Sequence, residues 1–139
     1  MQYFTDKSQT TTQFPLNAAV VVGQTVTFNC RTKSHNSFWW RYIAVGSNID
    51  SILFNGINLA EYECDSCAVN NTEPGQYDLQ ITNTRQSDAG TYICVVTEEI
   101  STNANISRAE NHAAQLIVLG KFMRVVDLMM ATFDKKLNM

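Results

Sequence analysis

The sequence predicts an all-β fold, an antiparallel sandwich or barrel, and three observations carry that expectation. Short runs of β-branched and aromatic residues alternate with polar ones. Turn dipeptides separate these runs at close spacing, and no amphipathic helical period occurs before residue 120. A chain of 139 residues suits one domain and is too short for two ordinary ones. Its 45 % apolar and 17 % charged residues are those of a globular chain.

The elements follow in order. Val20, Val21 and Val22 run into the Gly23-Gln24 turn, after which Val26, Phe28 and Cys30 alternate with Thr25, Thr27 and Asn29. That period of two marks a half-buried strand. Arg31 to Ser37 is polar and reads as a loop, and Phe38-Trp39-Trp40-Arg41-Tyr42-Ile43 is the next strand. Ser51 to Phe54 is closed by Asn55-Gly56, a strong hairpin dipeptide, and Ile57 to Glu63 can return as an edge strand. Ala68 to Gly75 reads as a polar loop ending in the Pro74-Gly75 turn. Tyr77, Leu79 and Ile81 then alternate with Asp78, Gln80 and Thr82. Thr91–Thr97 and Gln115–Leu119 are the last strands.

The two ends differ from this middle. Residues 1–13 are polar and Thr/Gln-rich, a terminal extension with no apolar core of the secretory kind. An exported chain would therefore have lost its signal already, or be a fragment. Beyond residue 120 lie four of the five methionines. There Phe122, Val126, Met129, Met130, Phe133 and Leu137 recur three or four apart, so 121–139 reads as a tail with a helical period. Lys121, Arg124, Lys135 and Lys136 flank its apolar side.

The segment Asp88-Ala89-Gly90-Thr91-Tyr92-Ile93-Cys94, taken with Cys30 and Trp39, resembles the immunoglobulin superfamily and its V-set in particular. The resemblance implies a V-type Greek-key sandwich of two antiparallel sheets over 14–120. It also implies a Cys30–Cys94 bridge between the sheets, although the spacing of four cysteines by itself permits three pairings. Gly90 would serve a tight corner and Tyr92 would be the corner tyrosine, its hydroxyl bonded to nearby backbone. Trp39 is the expected core indole. Arg41, two residues on, would then share its face and pair with Asp88, while Trp40 and Tyr42 point outward. The length between Arg41 and Tyr77 leaves room for the extra strands of a V-type domain. Three departures point to a non-rearranging relative of antigen receptors. The Cys30–Trp39 spacing is short, no basic residue lies between Arg41 and Arg85, and the final strand lacks a Phe-Gly-x-Gly bulge.

Signals for catalysis are thin. Cys64-Asp65-Ser66-Cys67 could be a redox pair, half a zinc site or a local disulfide. No helix follows it to lower a thiolate pKa, and His35 and His112 stand without ligand spacing. A local Cys64–Cys67 disulfide bracing an edge strand is the favoured reading. The sequence has neither a Gly-x-Ser-x-Gly elbow nor a phosphate-binding glycine loop, so no enzyme, metal or cofactor is expected. Glu61, Glu63 and Asp65 read as a solvated acidic face.

Binding is the expected role. The net charge of -3 has no basic stripe for nucleic acid, and no stretch is apolar enough to span a membrane. Two surfaces present themselves. One is the outward sheet face, with Trp40, Tyr42 and Val95 as partner contacts. The other is the loop end, built from Arg31 to Ser37, the Asn55-Gly56 turn and the long connection Glu98 to His112, the last read as a loop carrying Glu98, Glu99, Ile100, Ile106 and Arg108. Sequons at Asn70 and Asn105 mark sites for glycosylation in a secretory setting. The resemblance implies a cell-surface receptor or adhesion module that binds a protein ligand, homophilic or heterophilic, with a weak homodimer as one form. A secreted immune-type binder of microbial or glycan ligands and a structural spacer are the alternatives.

Overall fold

Alternating burial along the strands sorts the chain into two packed layers. The computed structural model describes residues 11–33, 37–55, 58–59, 64–101 and 106–120. Eleven strands occur among them: β1 (Thr11–Gln13), β2 (Ala18–Val21), β3 (Val26–Phe28), β4 (Arg31–Thr32), β5 (Ser37–Ala44), β6 (Ser51–Asn55), β7 (Asn58–Leu59), β8 (Cys67–Asn70), β9 (Asp78–Ile81), β10 (Gly90–Ser101) and β11 (Ile106–Leu119). A single turn of 3-10 helix, Gln86–Asp88, precedes β10.

One layer is a six-stranded sheet in the order β2-β11-β10-β5-β6-β7. The other is β3-β9-β8, extended by the β1–β4 pair through a bridge between Arg31 and Gln76. All ladders are antiparallel except β2 with β11, which is parallel. The expected two-sheet sandwich is present, with that one parallel edge added. Three strands were not foreseen. β1 lies inside the stretch read as a terminal extension, β4 inside the Arg31–Ser37 loop, and β8 begins at Cys67 and takes up the first three residues of the Ala68–Gly75 loop. Each is at most four residues long and polar or mixed, too brief to set up a period.

The layers are joined by the Cys30–Cys94 disulfide, with the two Cα atoms 6.5 Å apart. Around it pack Phe28, Phe38, Trp40, Leu53, Leu79, Ile81, Tyr92 and Leu116. Trp40 lies directly across from Cys94 in the β5–β10 ladder and is 0 % exposed. Its indole Nε1–H donates to the Tyr77 carbonyl at 2.9 Å, linking the sheets a second time. Phe38 stacks on Tyr77, ring centroids 3.8 Å apart.

This corrects the expected placement of the indoles. Trp40, not Trp39, is the core residue, and Tyr42 is buried with it rather than exposed. The physical reason is the composition of the two faces of β5. One face offers Phe38, Trp40 and Tyr42, and the other Trp39, Arg41 and Ile43. Burying the first removes three aromatic rings from water, whereas burying the second would also desolvate a guanidinium. Arg41 therefore does not reach Asp88. It faces outward and forms an ion pair with Asp50, its Nε donating to Asp50 Oδ1 at 3.0 Å.

The lower end of the sandwich is closed by backbone acceptors. Tyr92 Oη donates to the Asp88 carbonyl at 2.6 Å, the tyrosine-corner bond. Tyr42 Oη lies 3.0 Å from the Ser87 carbonyl and 2.7 Å from that of Ala89, so it occupies the floor where a basic residue was expected. Buried Asp88 instead accepts the Arg85 backbone N–H at 2.8 Å, which satisfies its carboxylate locally. Gly90 has φ +150°, and a Cβ there would press on the Ile43 carbonyl and the Tyr42 ring. Only glycine fits that corner.

Candidate functional site: the outward face of the six-stranded sheet

Because β5, β10 and β11 are in register, their outward side chains form rows across the sheet. Trp39 of β5 is opposite Val95 of β10, which is opposite Asn111 of β11. The next row holds Ile52, Arg41, Ile93 and Ala113, and the one below it Ile43, Thr91 and Gln115. Trp39, Arg41, Ile43, Ile52 and Ile93 are all half-buried. The face thus carries one accessible indole, three branched aliphatic side chains and a single ion pair. Such a mixture, with an aromatic near the middle and few charges, is what protein-binding patches offer.

Val95 points to this face but is only 2 % exposed, so it has almost no surface for a partner to touch. It is removed, with Trp40 and Tyr42, from the set of expected contacts. Trp39 takes their place. A comparison of the two alternating sets on β5, three rings against one ring and a guanidinium, would have found this from the sequence.

The expected loop from Glu98 to His112 is mostly strand. β10 continues to Ser101 and β11 begins at Ile106, with ladder pairs from Glu98–Arg108 through Ser101–Ile106. β5 stops pairing with β10 at Ser37–Thr97, so the hairpin runs on past the sheet. Glu98, Glu99, Ile100, Ile106 and Arg108 all belong to this two-stranded extension. Asn105 and His35, the stretch 61–63 and the tail 121–139 lie outside the described residues.

Two polar clusters occupy the opposite side. His112 Nε2 is 3.1 Å from both Thr11 Oγ and Glu110 Oε1, and Glu110 Oε1 also accepts from the Thr11 hydroxyl at 2.6 Å. A hydroxyl, an imidazole and a carboxylate meet here, but both oxygens contact the same ring nitrogen. A relay needs them on opposite nitrogens. The cluster instead ties β1 to β11, with the Phe14 ring 4.6 Å from the imidazole. The second cluster was not anticipated. Buried Asp78 accepts from the Cys30 backbone N–H at 2.9 Å, Arg31 Nη2 at 3.1 Å and Gln76 Nε2 at 2.9 Å. It ties the backbone at Cys30, between β3 and β4, to β9.

Cys64 and Cys67 are joined as a local disulfide where β8, an edge strand, begins. Among the described residues no group of three or more His, Cys, Asp or Glu side chains is placed to hold a metal ion.

The bridged sheets, the indole on the bridge and the corner tyrosine agree with a sequence match: residues 13–119 fit the model of the immunoglobulin V-set domain. The chain belongs to the immunoglobulin V-set family. Solved structures give the same fold. A chain from a structural study of T cell specificity and activation by the bacterial superantigen toxic shock syndrome toxin-1 superposes with a TM-score of 0.61 at 21 % identity, over 78 % of this chain and 98 % of that one. Murine CRIg superposes with a TM-score of 0.62 at 16 % identity, over 76 % and 94 % respectively. No curated protein sequence matches significantly. V-set domains are typically recognition modules rather than enzymes, and two disulfides in so small a domain suit an extracellular, oxidising setting. Among the described residues no helix is long and apolar enough to cross a membrane.

Proposed function

We propose that this V-set domain is a protein-binding recognition or adhesion module, the ligand-binding ectodomain of a cell-surface receptor. It reads a protein ligand with the outward face of its six-stranded sheet. The observation that carries this reading is Trp39, held half-exposed in the middle of that face between the flanking strands β10 and β6, while every neighbouring row is aliphatic or uncharged apart from Arg41 and Asp50. An indole on a rigid sheet loses little conformational freedom when a partner covers it. The β10–β11 hairpin, which outruns β5, supplies the specificity contacts through Glu98, Glu99, Ile100, Ile106 and Arg108. Asn70 stands exposed at the end of β8, its Oδ1 accepting the Thr72 N–H at 3.3 Å, and carries a glycan on the layer away from the binding face.

The test is a binding screen of the oxidised chain against itself and against a panel of cell-surface ectodomains, repeated with Trp39→Ala. A ligand lost at least tenfold in affinity by Trp39→Ala, with the variant still folded and unfolding cooperatively, supports the reading. A ligand bound equally well by the variant would move the contact surface elsewhere. No ligand at all would leave the domain a spacer.

A further inference from the structure

The two disulfides of this domain stand in opposite surroundings. Both halves of Cys30–Cys94 are 0 % exposed, so no solute reaches that bridge while the layers stay packed. Cys64–Cys67 lies at the margin. Cys64 is 6 % exposed and belongs to the core, whereas Cys67 is half-buried at the first residue of β8, the outer strand of the three-stranded sheet. Asp65 between them is exposed, so the turn opens to solvent. Thiol–disulfide exchange needs a line of approach to one sulfur, and the bridges that offer it are the labile ones.

We propose that Cys64–Cys67 is a reversible exchange site for small thiols of the glutathione kind, with Cys67 as the half that accepts the incoming sulfur. The thiolate attacks Cys67 Sγ and a mixed disulfide forms there. The Cys64–Cys67 bond breaks with its electron pair on Cys64 Sγ, which takes up a proton. A second thiolate attacks the sulfur of the attached small thiol, forming the small-molecule disulfide and releasing the Cys67 thiolate. Two thiols are oxidised and one bridge is reduced, two electrons in all. The turn keeps its shape without the bridge. The Cys67 N–H donates to the Cys64 carbonyl at 3.3 Å, and the Ser66 carbonyl accepts from the Thr82 N–H at 2.9 Å and the Thr82 hydroxyl at 3.3 Å. The two thiols therefore remain neighbours after reduction, and Cys64 can expel a thiol attached to Cys67. A bridge between residues 3 apart constrains the unfolded chain far less than one between residues 64 apart, so its opening leaves the domain folded. The site is a substrate of exchange rather than a catalyst, because a strand begins at Cys67 where a catalytic pair has a helix N-terminus to hold its thiolate. It belongs to the layer opposite Trp39, so this inference is independent of the partner-binding reading.

The test uses the oxidised full chain in native buffer with reduced glutathione, quenched at intervals with N-ethylmaleimide and mapped by peptide mass spectrometry. Cys64 and Cys67 should be labelled on the order of a hundredfold faster than Cys30 and Cys94, which are reached only when the layers open. The far-ultraviolet circular dichroism should stay unchanged while they react. Equal rates at the two bridges, no labelling at 64 and 67, or loss of the fold in step with it would overturn the proposal. The accepting half is identified with oxidised glutathione and two single variants. In Cys64→Ser the free Cys67 thiolate attacks the glutathione disulfide, keeps one glutathionyl group and releases the other as a thiolate. Its uptake should be roughly tenfold faster than that of Cys67→Ser, whose remaining thiol is buried. Equal or reversed rates would refute the assignment of Cys67 as the accepting half.

Discussion

Replacing Trp40 by Ala tests the core arrangement at its centre. The indole is wholly buried beside Cys94 and donates its only N–H to the Tyr77 carbonyl. A buried tryptophan removes roughly 150–250 Å² from water, worth roughly 4–6 kcal/mol at about 25 cal/mol per Å². Measured truncations of buried aromatics cost about 3–5 kcal/mol, and the Tyr77 carbonyl left without its donor adds about 1–3 kcal/mol. These contributions overlap, so the expected loss is about 5 kcal/mol, a large part of the 5–15 kcal/mol typical of a whole domain. Trp39→Ala removes an indole already half in solvent and should cost only about 1–2 kcal/mol. Equilibrium urea unfolding of the oxidised protein, followed by far-ultraviolet circular dichroism, separates the two. With a slope of about 2 kcal/mol per M, Trp40→Ala lowers the midpoint by roughly 2–3 M and Trp39→Ala by less than about 1 M. A larger effect at position 39 than at 40 would mean that β5 is rotated by one residue, and the assignment of both faces would fall.

Three other outcomes follow from the same geometry. Replacing Cys30 and Cys94 together by Ala frees a link 64 residues apart and should cost about 4 kcal/mol, against about 2 kcal/mol for the Cys64/Cys67 pair, both read from thermal midpoints. Equal losses would show that chain entropy does not govern the two bridges. Tyr92→Phe keeps the ring and removes the 2.6 Å bond to the Asp88 carbonyl, so urea titration should show a loss of about 1–2 kcal/mol; no loss would deny the corner its role. Gly90→Ala sets a Cβ against the Ile43 carbonyl at a positive φ and should destabilise by about 2–4 kcal/mol, while Gly46→Ala, whose Cβ would meet nothing within 4 Å, should cost less than half as much.

Much of the sandwich could be read from residue pattern because the chemistry involved is local. The alternation through Val26, Phe28 and Cys30 and through Tyr77, Leu79 and Ile81 has one apolar side only, so the inward face was never in question. The Asp88-to-Cys94 run likewise fixes its corner through neighbours in sequence, as the Asp88–Arg85 and Tyr92–Asp88 bonds show. β5 is different, because Phe38 to Ile43 is apolar on both sides except at Arg41. An expectation that set Arg41 beside Asp88 chose the face that would bury a charge. The aromatic count on the other face was on the page and pointed the right way.

The sequence by itself determined the fold family and which short runs become strands, because those depend on period, turn residues and a motif held within a few positions. Tertiary structure alone decided where Asp78 finds three donors and how far β10 and β11 run as a ladder. Each of these is a choice between partners distant in the chain. Desolvation and hydrogen-bond satisfaction settle such choices only when both layers are in place.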